Sequence, residues 1–504
     1  MKWCALVLLA ALLLLSACDI RKPVMPEWDV TLNIPLINEK YFVSDLVDSV
    51  NIVLGDGDIL ILRGTGSEET PYFGDVSFEP DINVTGMPIF SGSNAGFFPL
   101  VDPEDKVLIS YGKIISGTLR TRFFNVANSV SQINLIFHEL FYQDGTPYQI
   151  SYPGNSGWQN SNLEGCTIGT LNSGTLLDQL NYTIQVVSTQ PAGSAAGLMD
   201  FGVLGALAFD LFRGHLVDFE MSLVENQSSV NIEYPHNIED AFGLQSAKLF
   251  IDVQNMVGFV CELHGNFYAE NTRTGQVRSI PIVDNNNQPY LINPATEAGA
   301  GITELVFENN VEQLMQIMPD KIEIRDAFFL IDSSTTGPVG TVRSSDIIRM
   351  DYQLDAPFTF VVYESTIQLQ DPTLINITAE NRRQIQNNAL AAELTLHILN
   401  KLPIGATATL YIGDSDQIDP AVPGTYAFSR GMNLQSSNLS PGEQITTLSL
   451  NKAELDVFAQ PTVFMLWTFS FAAHGTPITI TASPADYIQV KSMIRVGLRI
   501  TEDI

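Results

Sequence analysis

Basic residues are scarce in this sequence. Lys and Arg number 25 against 56 Asp and Glu, leaving a formal charge of −31. Nucleic-acid binding depends on neutralising phosphates, so this chain repels a duplex. A basic docking face for anionic lipid is excluded on the same ground. Cysteine is scarcer still. Only Cys4, Cys18, Cys166 and Cys261 occur, with no C-x-x-C pair and no metal-type Cys/His spacing. No apolar run reaches the roughly 20 residues that a membrane-crossing helix needs. Nucleophile and phosphate motifs are missing: there is no G-x-S-x-G and no Walker-type Gly-Lys-Ser/Thr, and Gly64-Thr65-Gly66 lacks a third glycine. Charged residues make up 16% of the chain and apolar ones 45%. Disorder needs the opposite balance, so packed cores are expected.

The N-terminus is the most specific feature present. After Met1-Lys2-Trp3 the chain is apolar from Cys4 to Leu15 and ends on small residues, the pattern of a secretory signal peptide. Leu15-Ser16-Ala17-Cys18 resembles the lipobox of bacterial lipoproteins. The resemblance implies cleavage after residue 17 and an acylated Cys18, because a thiol is required to carry diacylglycerol as a thioether. Two or three acyl chains on one residue anchor stably. Residues 18–23 then form a short polar tether. Asp19 after the cysteine resembles an inner-membrane retention signal of enteric bacteria, a rule that does not hold across phyla. The expected location is the cell envelope, with the outer membrane favoured.

Alternating or continuous β-branched and aromatic runs recur throughout, bounded by Gly, Pro, Asn and Asp. Examples are Ile59 to Leu62, Val107 to Tyr111 and Phe358 to Val362. The reading is mainly β, with tandem sandwich-like units and a few short helices. Internal similarity guides the boundaries. Leu394 to Ile404 and Leu249 to Phe259 both place an Asn between two apolar alternations, and Phe124 to Val130 is a weaker match. A second block follows: Thr303 to Phe307, a helical stretch from Asn310 to Met318, Pro319, then Ile322 to Ile324. Its counterpart runs Thr447 to Leu450, Lys452 to Ala459, Pro461 and Val463 to Phe469. The expected organisation is an N-terminal β segment, 24–113, and three units, 114–240, 241–375 and 376–504. A connecting helix is expected within 376–392, its Arg382 and Arg383 solvated.

Asn255 and Asn400 share the parity of the inward apolar set. An amide on a buried face must be hydrogen-bonded, so both are expected to bind main-chain groups at a break in the ladder. Asn400 and Pro403 resemble the kink of the type-2 late-embryogenesis-abundant domain, a β-sandwich. The start Trp28 to Leu36 resembles uncharacterised envelope lipoproteins of Gram-negative bacteria. Both resemblances imply non-enzymatic, protective or binding roles, and neither supplies a catalytic residue.

Candidate chemistry is thin. His138, His264 and His397 fall on solvent-facing strand positions. Asp56-Gly57-Asp58, Asp284 to Asn287, and Asp414, Asp416 and Asp419 offer clustered oxygens of the kind calcium takes. Asp and Asn are equally the common turn residues; no other cofactor is implied. Trp158, in the polar loop Tyr152 to Asn160, suits stacking on a sugar or partner, or folding back on its own domain. Trp467 belongs in a core strand. Cys166 and Cys261 are left as a disulfide or as two buried thiols. These residues point to a non-catalytic envelope protein, held on a membrane by its lipid, that binds a protein, glycan or lipid through sandwich loops. The alternatives are a hydrophobic-ligand carrier, which needs an internal cavity, and a glycan hydrolase, which needs paired carboxylates in a cleft.

Overall fold

Apolar residues at every second position give each strand one buried face, and sheets must then pair to cover those faces. In the computed structural model 58% of residues are strand and 7% helical, so the fold is mainly β. The structure describes residues 28–47, 51–171, 174–223, 229–232, 240–308, 310–333, 337–368, 371–439 and 442–500. The signal peptide, Cys18 and the tether lie outside these. The chain divides into two compact units, one of Met1–Leu60, Tyr234–Gly243 and Phe358–Ile504, the other of Ile61–Glu233 and Leu244–Pro357.

The first unit holds one pair of four-stranded sheets and a small sheet of Phe242–Leu244, Thr359–Val362 and His474–Thr479. Its first sheet runs Trp28–Phe42, Tyr487–Ile500, Ala389–Asn400, Gln444–Leu450. Its second runs Ser365–Gln368, Phe464–Phe471, Ala406–Gly413, Phe428–Leu434. The other unit holds two pairs. One places Leu60–Glu69, Ile348–Pro357, Lys248–Asn255 and Gly301–Phe307 side by side, with a second sheet of Phe219–Ser222, Lys321–Ile331, Cys261–Asn271 and Gln276–Pro281. The other places Asn83–Phe90, Ala195–Val203, Thr118–Phe124 and Gln159–Asn162 side by side. Facing it are Gly92–Pro99, Gln179–Ser188, Val130–Phe141 and Pro147–Tyr152. That last sheet continues through Thr167–Gly169 to Val107–Ser116 and Leu207–Leu216. All the adjacent strands in these orders whose registers are given are antiparallel.

The segment expected to stand alone, 24–113, does not. Its strand Trp28–Phe42 pairs with Tyr487–Ile500, Leu60–Glu69 with Ile348–Pro357, and Asn83–Phe90 with Ala195–Val203. Periodicity identifies a strand but says nothing about a partner hundreds of residues away. The two helix-then-Pro blocks form as expected: Val311–Met315 precedes Lys321–Ile331, and Lys452–Leu455 with Asp456–Ala459 precedes Phe464–Phe471. The connecting helix is Ala379–Asn388, capped by the Thr378 hydroxyl. Arg382 is not simply solvated; its guanidinium donates to the carbonyls of Ile377 and Pro461.

The cores are filled by large side chains. Phe98, Phe123, Phe137 and Phe201 are at most 1% exposed, and Phe98 stacks on Phe201 at 4.1 Å between ring centres. Leu249, Ile251, Val253, Val257 and Phe259 are all buried, as their parity requires. In the first unit Leu396, Ile398, Ala408, Met432 and Leu448 form a core against which Trp467 and Phe469 pack.

Asn255 and Asn400 end their strands in matching bonds. Asn255 is fully buried and Asn400 nearly so. The Asn255 amide nitrogen donates to the carbonyls of Phe259 and Asn293, both at 3.0 Å, and its oxygen accepts from the Val257 N–H at 2.8 Å. The Asn400 nitrogen donates to Ile404 at 2.8 Å and Gln435 at 3.0 Å, and its oxygen accepts from Leu402 at 2.9 Å. Each amide thus ties the end of its strand to the start of the next and to a loop of another segment. The third expected position, Asn128, is an exposed turn residue. The strand Thr118–Phe124 ends without a buried Asn of its own. There the amide comes from a loop instead, and Asn155 accepts from the Val126 N–H at 2.8 Å. Replacing Asn255, Asn400 or Asn155 with Ala leaves main-chain groups unpaired, each at a cost of about 1–3 kcal/mol when buried. The expected order of lost stability in chemical denaturation is Asn255 first, then Asn400, then Asn155. An unchanged midpoint for Asn255→Ala would overturn the bridging role.

Candidate functional site

Trp158 lies between Pro147–Tyr152 and Gln159–Asn162, in a loop pinned to strand Thr118–Phe124. The Phe123 N–H donates to the Ser156 hydroxyl at 3.0 Å and its carbonyl accepts from the Ser156 N–H at 2.8 Å. With Asn155 holding Val126, the loop has little freedom. Gln159 sits opposite Thr121, which brings Trp158 beside the outward-facing Arg120 and Arg122. The Arg120 guanidinium lies 3.8 Å and that of Arg122 4.8 Å from the centre of the indole ring. Arg122 also lies 4.7 Å from the Phe124 ring and pairs with Asp200, which is 2% exposed and accepts from the Gly86 N–H at 2.7 Å. Trp158 keeps 39% of its surface exposed. The loop therefore folds back on its own sheet and still presents an aromatic face flanked by two cations, an arrangement suited to a sugar ring or an anionic group. Arg120 and Arg122 alternate in the sequence, but nothing there brings them to Trp158.

Open clefts occur at the surface of the sandwiches. One of about 420 Å³ is lined by Asp284, Asn287, Tyr290, Val306, Asn310 and Gln313. Asp284 is a turn residue first: one of its oxygens accepts from the N–H groups of Asn286 and Gln288, both at 2.8 Å, and these bonds hold its carboxyl below the usual range. A broader groove of about 760 Å³ contains Asp252, Glu304 and Asp351. Asp252 stands directly opposite both of the others in the ladder. In the first unit a cleft of about 370 Å³ is lined by Pro403, Gln435, Leu439 and His474.

Asp414, Asp416 and Asp419 are exposed and do not converge. Asp419 caps its own turn through the Ala421 N–H at 2.8 Å, Asp416 accepts from the Gln417 amide, and the Asp414 carbonyl takes the Thr462 hydroxyl. Among the described residues no three His, Cys, Asp or Glu side chains gather into a metal-holding group. His138, His264 and His397 lie on strand surfaces beside Thr183, Glu262 and Glu443. His215, which the sequence did not single out, is 1% exposed beside the Ser333 hydroxyl, and burial pushes its pKa down.

Cys166 and Cys261 are both free and buried, which settles the choice left open by the sequence. Burial pushes the Cys261 thiol up to about 12 and raises Cys166 as well.

No known family matches this sequence, and no curated protein does. Among solved structures the chain is similar to a protein of Parabacteroides distasonis that has been taken to be secreted. The two share 9% identity over 93% of this chain and 99% of the other, with a TM-score of 0.31. N-glycanase F (PNGase F) matches 57% of this chain and 96% of its own, at 11% identity and a TM-score of 0.14. The capsid of infectious bursal disease virus matches 91% and 83%, at 9% identity and 0.14.

Two outcomes follow from this geometry. With Trp158 as the sole tryptophan, Arg120→Ala should raise acrylamide quenching of its emission, because the guanidinium no longer covers the ring; equal quenching would show that Arg120 does not hold it. In the native protein neither thiol should react with a neutral disulfide reagent near pH 8, since only the thiolate attacks, and both should appear on denaturation. Rapid modification of either native thiol would contradict the burial.

Proposed function

We propose that this chain is a non-catalytic, lipid-anchored protein of the cell envelope that binds a partner through the outer faces and loops of its sandwiches. Signal-peptide cleavage and acylation at Cys18 place it on a membrane, with the outer membrane the favoured one. The three sheet pairs are copies of one module, nested along the chain. Each outer module is interrupted after its first strand by everything inside it: Trp28–Phe42 precedes the second module, and Leu60–Glu69 precedes the first.

The observation that carries this reading is where the structure leaves space. Phe98, Phe123, Phe137, Phe201 and Phe329 fill the sheet interiors, while the clefts beside Tyr290, Asp252 and Leu439 open outward. A carrier of acyl chains needs the reverse, an apolar interior with room. Filled cores therefore favour display over transport.

The anchor is tested by changing Cys18 to Ser. The wild-type chain should incorporate labelled palmitate and sediment with membranes through a high-salt wash, and Cys18→Ser should do neither. Retention of both by the variant sinks the anchor. Display is tested by organic extraction of the purified Cys18→Ser chain and mass spectrometry of the extract. No stoichiometric lipid is expected; one lipid per chain would transfer the assignment to the carrier.

A further inference from the structure

We propose that the inner face of the first stretch of strand Trp28–Phe42, Trp28 to Leu32, is a membrane-contacting edge, seated in the lipid interface beside the acylated N-terminus; this rests on the lipid-anchor reading above.

Trp28, Val30 and Leu32 occupy alternate positions, so they share one face of the strand. They are 62%, 40% and 46% exposed. That face belongs to the inside of the sandwich. Leu32 stands opposite Val496, which stands opposite Ala392; Val30 stands opposite Leu498, which stands opposite Ala389. Ala389 and Ala392 are buried with Leu455, and Ile385, Leu450, Val496 and Leu498 pack against them. The apolar layer thus continues from the core across the sheet, half-buried at Val496 and Leu498, and emerges uncovered at the edge strand. Among the described residues Trp28–Phe42 is the end of its sheet, with Tyr487–Ile500 its one neighbour.

The second module shows how this position is ordinarily filled. Ile348 and Ile488 are equivalent, each facing its buried Asn. Counting from them along the ladders, and allowing for the bulge between Pro35 and Ile37, Leu32 corresponds to Leu62 and Val30 to Leu60. Leu62 is 4% exposed and Leu60 is 0%. Leu60–Glu69 has an outer neighbour, Ile52–Leu54, and Leu60 packs with Val43, Ile480 and Ala482, whereas among the described residues Trp28–Phe42 has no neighbour on that side.

The occupant follows from chain length and chemistry. Ten residue steps separate Cys18 from Trp28, a reach of at most roughly 35 Å. The bare strand is therefore held near the bilayer. Its exposed members are a tryptophan and two branched apolar residues, and Trp settles at the membrane interface, where an amphipathic ring is half in and half out of the lipid. Charges sit on the opposite face: Asp29 pairs with Arg499 at 3.1 Å, and Asn33 faces Arg495. Over Trp28, Val30 and Leu32 the contacting face carries none; its carboxylate, Glu39, lies beyond the bulge, opposite Val490, so a chain with 31 excess negative charges can meet lipid through this first stretch without bringing a carboxylate into it.

The test uses the full mature chain in phosphatidylcholine vesicles carrying brominated acyl chains, after labelled palmitate has established acylation at Cys18. Bromine quenches tryptophan only on contact. Wild type, Trp158→Phe and Trp467→Phe should show a quenched component, and Trp28→Phe should lose it. An acylated protein with no quenching, or with quenching unchanged in Trp28→Phe, overturns the inference and leaves the anchor standing. No acylation removes the anchor and the inference together. A detergent-solubilised dimer that Leu32→Asp returns to monomer, with Trp28 unquenched in vesicles, would assign the face to a second copy of the chain instead.

Discussion

The hydrogen-bonded pairing of Trp28–Phe42 with Tyr487–Ile500 joins nearly the two ends of the described chain, from Trp28 opposite Ile500 to Phe42 opposite Tyr487. Everything else is threaded inside that closure. Loop-closure entropy makes the arrangement less costly than it looks, because each doubling of an intervening loop adds only about 0.6 kcal/mol. What matters more is that an inserted module enters and leaves at one place. Ile61 faces Pro357 across the ladder, and Asn83 faces Gly202. A domain with adjacent ends interrupts its host without stretching it. The nested order is thus a consequence of first and last strands being neighbours in one sheet, a feature of all three sheet pairs.

That constraint explains which parts of the architecture were legible in the sequence. Strand content was, since period-two alternation is local. So were the two helix-and-Pro blocks, because Pro319 and Pro461 end a helix by chain chemistry alone. The modules' first strands were not assigned correctly, and 24–113 was read as a segment of its own. Its three strands carry the expected alternation, but each belongs with a partner far along the chain. Asn128 failed for a related reason. The bridge needs an amide near the end of one strand, and a loop residue supplies it as well as a strand residue does. Asn155 does so from a position that no alignment of strands would pick.

The surface was harder to read than the core, for a physical reason. A buried side chain is constrained by everything around it, so its type and parity are informative. Outer residues are constrained only by what they meet. Arg120 and Arg122 look like ordinary solvated positions until Trp158 arrives from a loop more than 30 residues on, held there by Ser156 and Asn155. Asp414, Asp416 and Asp419 look like a cation site until each is found spent on its own turn, through Ala421, Gln417 and Thr462. Proximity in sequence signalled a site where there is a loop, and distance in sequence concealed one where two cations meet an exposed ring.

Charge and apolarity divide the work on the outside of this protein. With 56 acidic residues against 25 basic ones, the body is repelled by anionic lipid, and the repulsion is screened beyond about 8–10 Å at physiological salt. The anchor proposed above would supply attraction through acyl chains, which are indifferent to charge. Contact close to the bilayer must therefore come from a face without carboxylates. Strand alternation offers one over the first residues of Trp28–Phe42: Asp29 is turned to one side, where Arg499 neutralises it, and Trp28, Val30 and Leu32 share the other. The same alternation in Leu60–Glu69 turns Leu60 and Leu62 to one face and buries them, Leu60 against Val43, Ile480 and Ala482. One pattern of residues thus serves as core in one module and as bare edge in the other, and the difference lies in what covers the strand rather than in its sequence.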